Sequence, residues 1–202
     1  MEEILPGVHH WTAKHAGIGM RVHSYFVAGS GAVIDPMVPE EGLEAIEALG
    51  SPPSRILLTN RHHYRQADRY VEAFGCTVHC HEAGLHEFDD GREVEGFAFG
   101  DEVAPGVVAH ELGSITPEES ALHISAGPGA LAFADGVVRF GPELGFVPDD
   151  LLGDEPEEVK DGIRAGLRHL LQRLEFDGVL LAHGDPLPRG GRDALARFAS
   201  AS

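Results

Sequence analysis

A short apolar run that stops abruptly constrains this chain most. Ile56, Leu57 and Leu58 read as the end of a buried strand. Thr59-Asn60-Arg61-His62-His63-Tyr64-Arg65-Gln66-Ala67-Asp68-Arg69 follows at once. Polar side chains at the C-terminal end of a buried strand lie where layered α/β folds usually place their sites. The segment from Thr59 to Arg65 is therefore the first place to look for chemistry.

The flanking sequence predicts alternating strands and helices. Ile4 to His10 reads as a strand bent by Pro6-Gly7, and Arg21–Val27 as a better one. Gly29-Ser30-Gly31 turns the chain into Ala32-Val33-Ile34, which makes a hairpin ending at Asp35-Pro36. Leu43, Ile46 and Leu49 recur at helical spacing, so a helix is expected over Pro39–Leu49, stopped by Gly50-Ser51-Pro52-Pro53. A second helix is expected over Gln66–Phe74, then a strand over Thr77–Cys80 and a helical turn over Glu82–Phe88. Phe88 to Pro105, rich in Asp, Glu and Gly, reads as surface loop. A strand is expected from Gly106 to His110. Ser120–Ser125 and Ala130–Ala134 form an expected strand pair around Gly127-Pro128-Gly129. The apolar stripe Val159, Ile163, Leu167, Leu170, Leu171 and Leu174 marks the clearest helix, Glu155–Leu174. Asp154 with Glu157 resembles a capping box at its start. Val179–Leu181 is the last expected strand, and Ala194–Ala199 a final short helix.

Charge narrows the partners. The chain of 202 residues carries a formal net charge of −18, which argues against nucleic acid and anionic membrane, since both need a basic face. No segment approaches the roughly 20 apolar residues of a membrane helix. The acidic start Met1-Glu2-Glu3-Ile4 lacks the regions of a signal peptide, so a single cytoplasmic domain over 1–202 is expected. Cys76 and Cys80 lie on one expected strand, where four residues span about 13 Å, too far for a disulfide. With His79, His81 and His86 they match no standard zinc spacing, and the group reads as structural.

The order of these pieces resembles the metallo-β-lactamase-fold hydrolases. Their Thr-His-x-His-x-Asp-His signature lies over Thr59–Arg65, with Thr59 and His62 matching and Asn60, Tyr64 and Arg65 replacing ligands. "SYFVAGSGAVIDP" resembles the opening hairpin of that fold, whose second strand commonly ends in an aspartate. Gly113-Ser114 stands where a Gly-His pair is expected. Asp135, after Leu131-Ala132-Phe133-Ala134, matches the aspartate that bridges the metals, and His183, after Val179-Leu180-Leu181-Ala182, matches the final His.

The resemblance implies an α+β chain, a four-layer αββα sandwich. It also implies a metal set reduced to His62, Asp135 and His183, for one ion at most, beside a pocket of Asn60, His63, Tyr64, Arg65 and Ser114. Arg65 is then expected to pair with Asp135 and to replace the metal's charge. On that account the chain binds a small ligand, anionic if Arg65 and Arg61 hold it, without a cofactor and with little or no catalysis. The alternative is a mononuclear hydrolase of a small ester, thioester or amide-like substrate, with one Zn, Fe or Mn ion on His62, Asp135 and His183.

Overall fold

Alternation along the strands decides the layering. In the computed structural model, which describes residues 1–201, the first sheet has seven strands in chain order. They are β1 (Glu2–Leu5), β2 (Val8–Lys14), β3 (Arg21–Val27), β4 (Ala32–Ile34), β5 (Arg55–Leu57), β6 (Thr77–His81) and β7 (Glu95–Phe97). The second sheet runs β12-β11-β10-β9-β8, from β8 (Glu102–Ala104), β9 (Val107–Glu111), β10 (Ser120–Ile124), β11 (Ala130–Phe133) and β12 (Gly178–Leu181). Tyr25, Val27, Ile34 and Leu57 of the first sheet meet Leu122, Ile124, Ala132 and Leu180 of the second in one core. Their sequence neighbours point the other way, as a period of two requires. Phe26, Val33 and Ile56 pack beneath Ile46 of α1 (Glu44–Glu47) and Ala67 and Tyr70 of α2 (Ala67–Phe74). Leu131, Phe133, Val179 and Leu181 pack beneath Ile163, Leu167 and Leu170 of α3 (Pro156–Arg173) and Leu195 of α4 (Gly191–Ser200). The result is helix, sheet, sheet, helix, the four layers expected.

Hydrogen bonding along the ladder aims the site. Strands β4, β5 and β6 are mutually parallel, and β11 is parallel to β12. Parallel neighbours end on the same side, so the C-terminal ends of β4 and β5 emerge together, as do those of β11 and β12. No helix among the described residues is long and apolar enough to cross a membrane.

Several expectations change. Ile4–His10 is two antiparallel strands, because Gly7 takes φ +72° and reverses the chain. The helix expected over Pro39–Leu49 is only the single turn α1, after Gly42 with φ +88°. The acidic stretch Phe88–Pro105 contains β7 and β8, three residues each. The first buries only Phe97 and the second the adjacent Val103 and Ala104, so no alternation shows in the sequence. Helix α3 starts at Pro156 with Glu155 as N-cap and no side-chain cap bond, so Asp154 caps nothing. Proline at the first helical position sets that start, because its φ is already helical. Cys76 and Cys80 are free and buried, as the strand spacing required.

Candidate functional site

Asp35 organises the half of the site that the first sheet supplies. It follows β4 with φ +49°, a left-handed conformation that Asp tolerates better than most residues. Its side chain is 2% exposed. It accepts the Thr59 N–H at 2.9 Å and the Thr59 hydroxyl at 2.6 Å, and it faces His63 Nδ1 at 3.0 Å. Asn60 opens a 3₁₀ turn over Arg61–Tyr64 and caps it, its Oδ1 accepting the His62 N–H at 2.9 Å. That turn exposes His62 and buries His63.

The second sheet supplies Asp135 just beyond β11 and His183 just beyond β12. Asp135 Oδ1 lies 3.1 Å from His183 Nε2 and 3.6 Å from His63 Nε2. Asp135 Oδ2 accepts the Asn60 amide at 2.8 Å. One ligand atom from each of His63, Asp135 and His183 lies within 4.8 Å of the others. The Asp135 side chain is 25% exposed and that of His183 11%, so the group opens on that side to solvent.

The residues expected in the site separate. Asp135, His183, Asn60 and His63 come together; His62 does not join them, and His63 takes the place expected for it. Tyr64 turns away, donating to Asp68 at 2.6 Å and packing against Phe88. Ser114 is exposed, with φ +74°, against Gly162 of α3. Arg65 forms no ion pair with Asp135: its Nη1 donates to the carbonyls of His23 and Asp35, both at 2.8 Å. The turn that buries His63 seats Arg65 beside the opening hairpin instead. Arg61 is committed to the buried Glu118, and so is not available to an anion.

Charge explains how so many polar groups stay buried. Burial works against the imidazolium of His63, but the Asp35 and Asp135 carboxylates outweigh it and raise its pKa to about 9. Burial likewise opposes the Asp135 carboxylate, but His63 and His183 hold it well below the ordinary range. Glu119, fully buried before β10, is pushed up to about 8 by burial and by Asp135. It accepts the Gly136 N–H at 2.7 Å and faces the Asn60 amide at 3.4 Å. Behind Arg65, His23 meets His10 at 2.8 Å and is lowered to about 4 by burial and by His10.

Glu119 and the role of Asp35 lay outside the residues picked from the sequence. Glu118-Glu119 directly before a buried strand was the available signal for Glu119, and Asp35 ending a buried hairpin was the signal for Asp35.

Comparisons with known proteins agree with the layering. No family model matches the chain, and no curated protein is similar to it. Solved structures are. TTHA1623 in a di-iron-bound form is 21% identical, with TM-score 0.62 over 93% of this chain and 92% of that one. The metallo-beta-lactamase family protein TTHA1429 from Thermus thermophilus is 17% identical, with TM-score 0.65 over 98% and 80%. TMB-1 is 13% identical, with TM-score 0.68 over 95% and 90%. At such identities the likeness is architectural: this chain has the metallo-β-lactamase fold.

Proposed function

We propose that the chain is a single-ion hydrolase of this fold, with His63 Nε2, Asp135 and His183 Nε2 as the donors for one Zn, Fe or Mn ion. The donor chemistry fits. Two imidazoles and a carboxylate suit these metals. A four-coordinate ion with bonds of about 2.0–2.2 Å sets its donors roughly 3.3–3.6 Å apart, against 3.1 and 3.6 Å from Asp135 to the two imidazoles. The observation that carries the reading is the support behind two of the three donors. Asp35 holds the far nitrogen of His63, and Asn60 holds the far oxygen of Asp135. Metal-binding histidines nearly always carry such a partner, because it fixes ring orientation and raises basicity.

An ion there would supply a Lewis acid and a water acidic enough to react near neutral pH. The chain's own residues do the rest. Asp35 keeps the Nδ1 proton of His63 and leaves Nε2 as the inward donor. Asn60 presents Asp135. The open side at Asp135 admits a small ester, thioester or amide-like substrate. The test is hydrolysis of p-nitrophenyl acetate and of a simple acyl thioester by chelated and zinc-, iron- or manganese-loaded protein. Activity that needs metal and is lost in His63→Ala supports the reading. Equal rates with and without metal would sink it.

A second reading rests on Arg65. Its Nη2 is buried without a hydrogen-bond partner, beside two carbonyls already taken by Nη1. A small carboxylate or phosphate reaching Nη2 would make this a ligand-binding site without catalysis. Binding of acetate or phosphate by metal-free protein, abolished in Arg65→Ala, would favour it.

A further inference from the structure

A cavity lies away from this group, between β9 and helix α3. Its volume is about 770 Å³, within the range of small-molecule sites. Leu112 and Leu170, both buried, form part of its apolar lining with Val108. Its polar lining includes His110, His169 and Arg173. His110 Nε2 is buried without a hydrogen-bond partner, and its ring rests edge-on against His123. Arg173 Nη1 meets His169 Nε2 at 2.9 Å. The rest of the guanidinium makes no hydrogen bond among the described residues.

Local sequence explains why the space has this shape. The segment Leu112–Ser114 presses so closely on α3 that a Cβ at Gly162 would collide with the Ser114 hydroxyl. One at Gly166 would lie 2.8 Å from the Leu112 carbonyl. The two glycines, four apart on one helical face, let the loop sit against the helix. His169 and Arg173 continue that face beyond the loop and stand over the cavity.

We propose that this cavity is a second binding site, for a small monocarboxylate with an apolar body. Arg173 takes the carboxylate through its free N–H groups, and Val108 and Leu170 take the body. Charge selects the class. One guanidinium fork matches one planar carboxylate. Glu111 also lines the cavity and disfavours a dianion such as phosphate. The proposal stands apart from the His63–Asp135–His183 group and does not depend on its metal.

The experiment is fluorescence titration of the full chain with 1-naphthoate and with neutral 1-naphthamide. Naphthoate binding that weakens about tenfold or more in Arg173→Gln and in Ala165→Phe is expected. Both positions line the cavity and are exposed on α3, so neither substitution threatens the core. Naphthamide should bind more weakly than naphthoate, and His63→Ala and Arg65→Ala should leave naphthoate binding unchanged. Three outcomes would overturn the proposal: no naphthoate binding at millimolar concentration, undiminished binding by both Arg173→Gln and Ala165→Phe, or loss of binding in Arg65→Ala instead.

Discussion

The two sheets build their halves of the site differently. The second sheet presents Asp135 and His183 two residues past the ends of neighbouring parallel strands, whose ladder closes at Phe133 and Leu181. The first sheet presents His63 from a 3₁₀ turn six residues past β5, where its ring is held by Asp35 and Thr59 and its N–H by the Asn60 carbonyl. Strand-end residues inherit their geometry from backbone pairing. Turn residues inherit theirs from a few buried polar contacts.

That contrast predicts where the molecule breaks most easily. Asp35→Ala leaves His63 buried between lost and remaining partners, and removing one member of a buried charged pair costs about 3–5 kcal/mol. The urea midpoint should fall accordingly, with the slope unchanged. An unaltered midpoint would mean that the turn does not depend on Asp35.

The effect on metal should be more local. Asn60→Ala removes the bond to Asp135 Oδ2 and the cap of the turn, and a lost supporting bond lowers metal affinity about 10–100-fold. Competition against a chromophoric chelator reads this. Affinity equal to that of the unaltered protein would show that Asp135 is placed by its strand alone.

A smaller effect sharpens the comparison through pH. His23, on β3 behind Arg65, is lowered to about 4 by burial and by His10 from an ordinary 6.5. The unfolded chain therefore takes up this proton between pH 6.5 and 4 while the folded chain does not. Its contribution to stability is complete above 6.5 and is lost as pH falls toward 4. His23→Gln should flatten that part of the melting-temperature profile. An unchanged profile would remove His23 as its source. Smallest of all, Asp154→Ala should leave the melting temperature within about 1–2 °C, because α3 begins on Pro156 without a side-chain cap.

The same contrast explains what was legible in the sequence. Apolar strands ending in Asp135 and His183 stood out because a buried strand and the polar residue after it are adjacent in the chain. Periodicity in β3, β11 and α3 marked strands and helices, while the four layers came from the family resemblance. The turn after β5 was not legible at that level. The family signature laid over Thr59–Arg65 put His62 among the ligands, whereas the 3₁₀ turn capped by Asn60 carries His63 inward. The expected Arg65–Asp135 pair failed for the same reason: its partner depended on a backbone path that periodicity does not report. Strands β7 and β8 were hidden by shortness, having too few residues to show alternation.

The most direct test is metal content per chain, by elemental analysis of untagged protein prepared without chelator. His62→Ala and His63→Ala are measured beside the unaltered chain. The account predicts about one Zn, Fe or Mn ion per chain, retained in His62→Ala and lost in His63→Ala. Loss in His62→Ala with retention in His63→Ala would contradict the inward turn. A value near zero in the unaltered protein, unchanged after adding metal, would contradict the single-ion site itself.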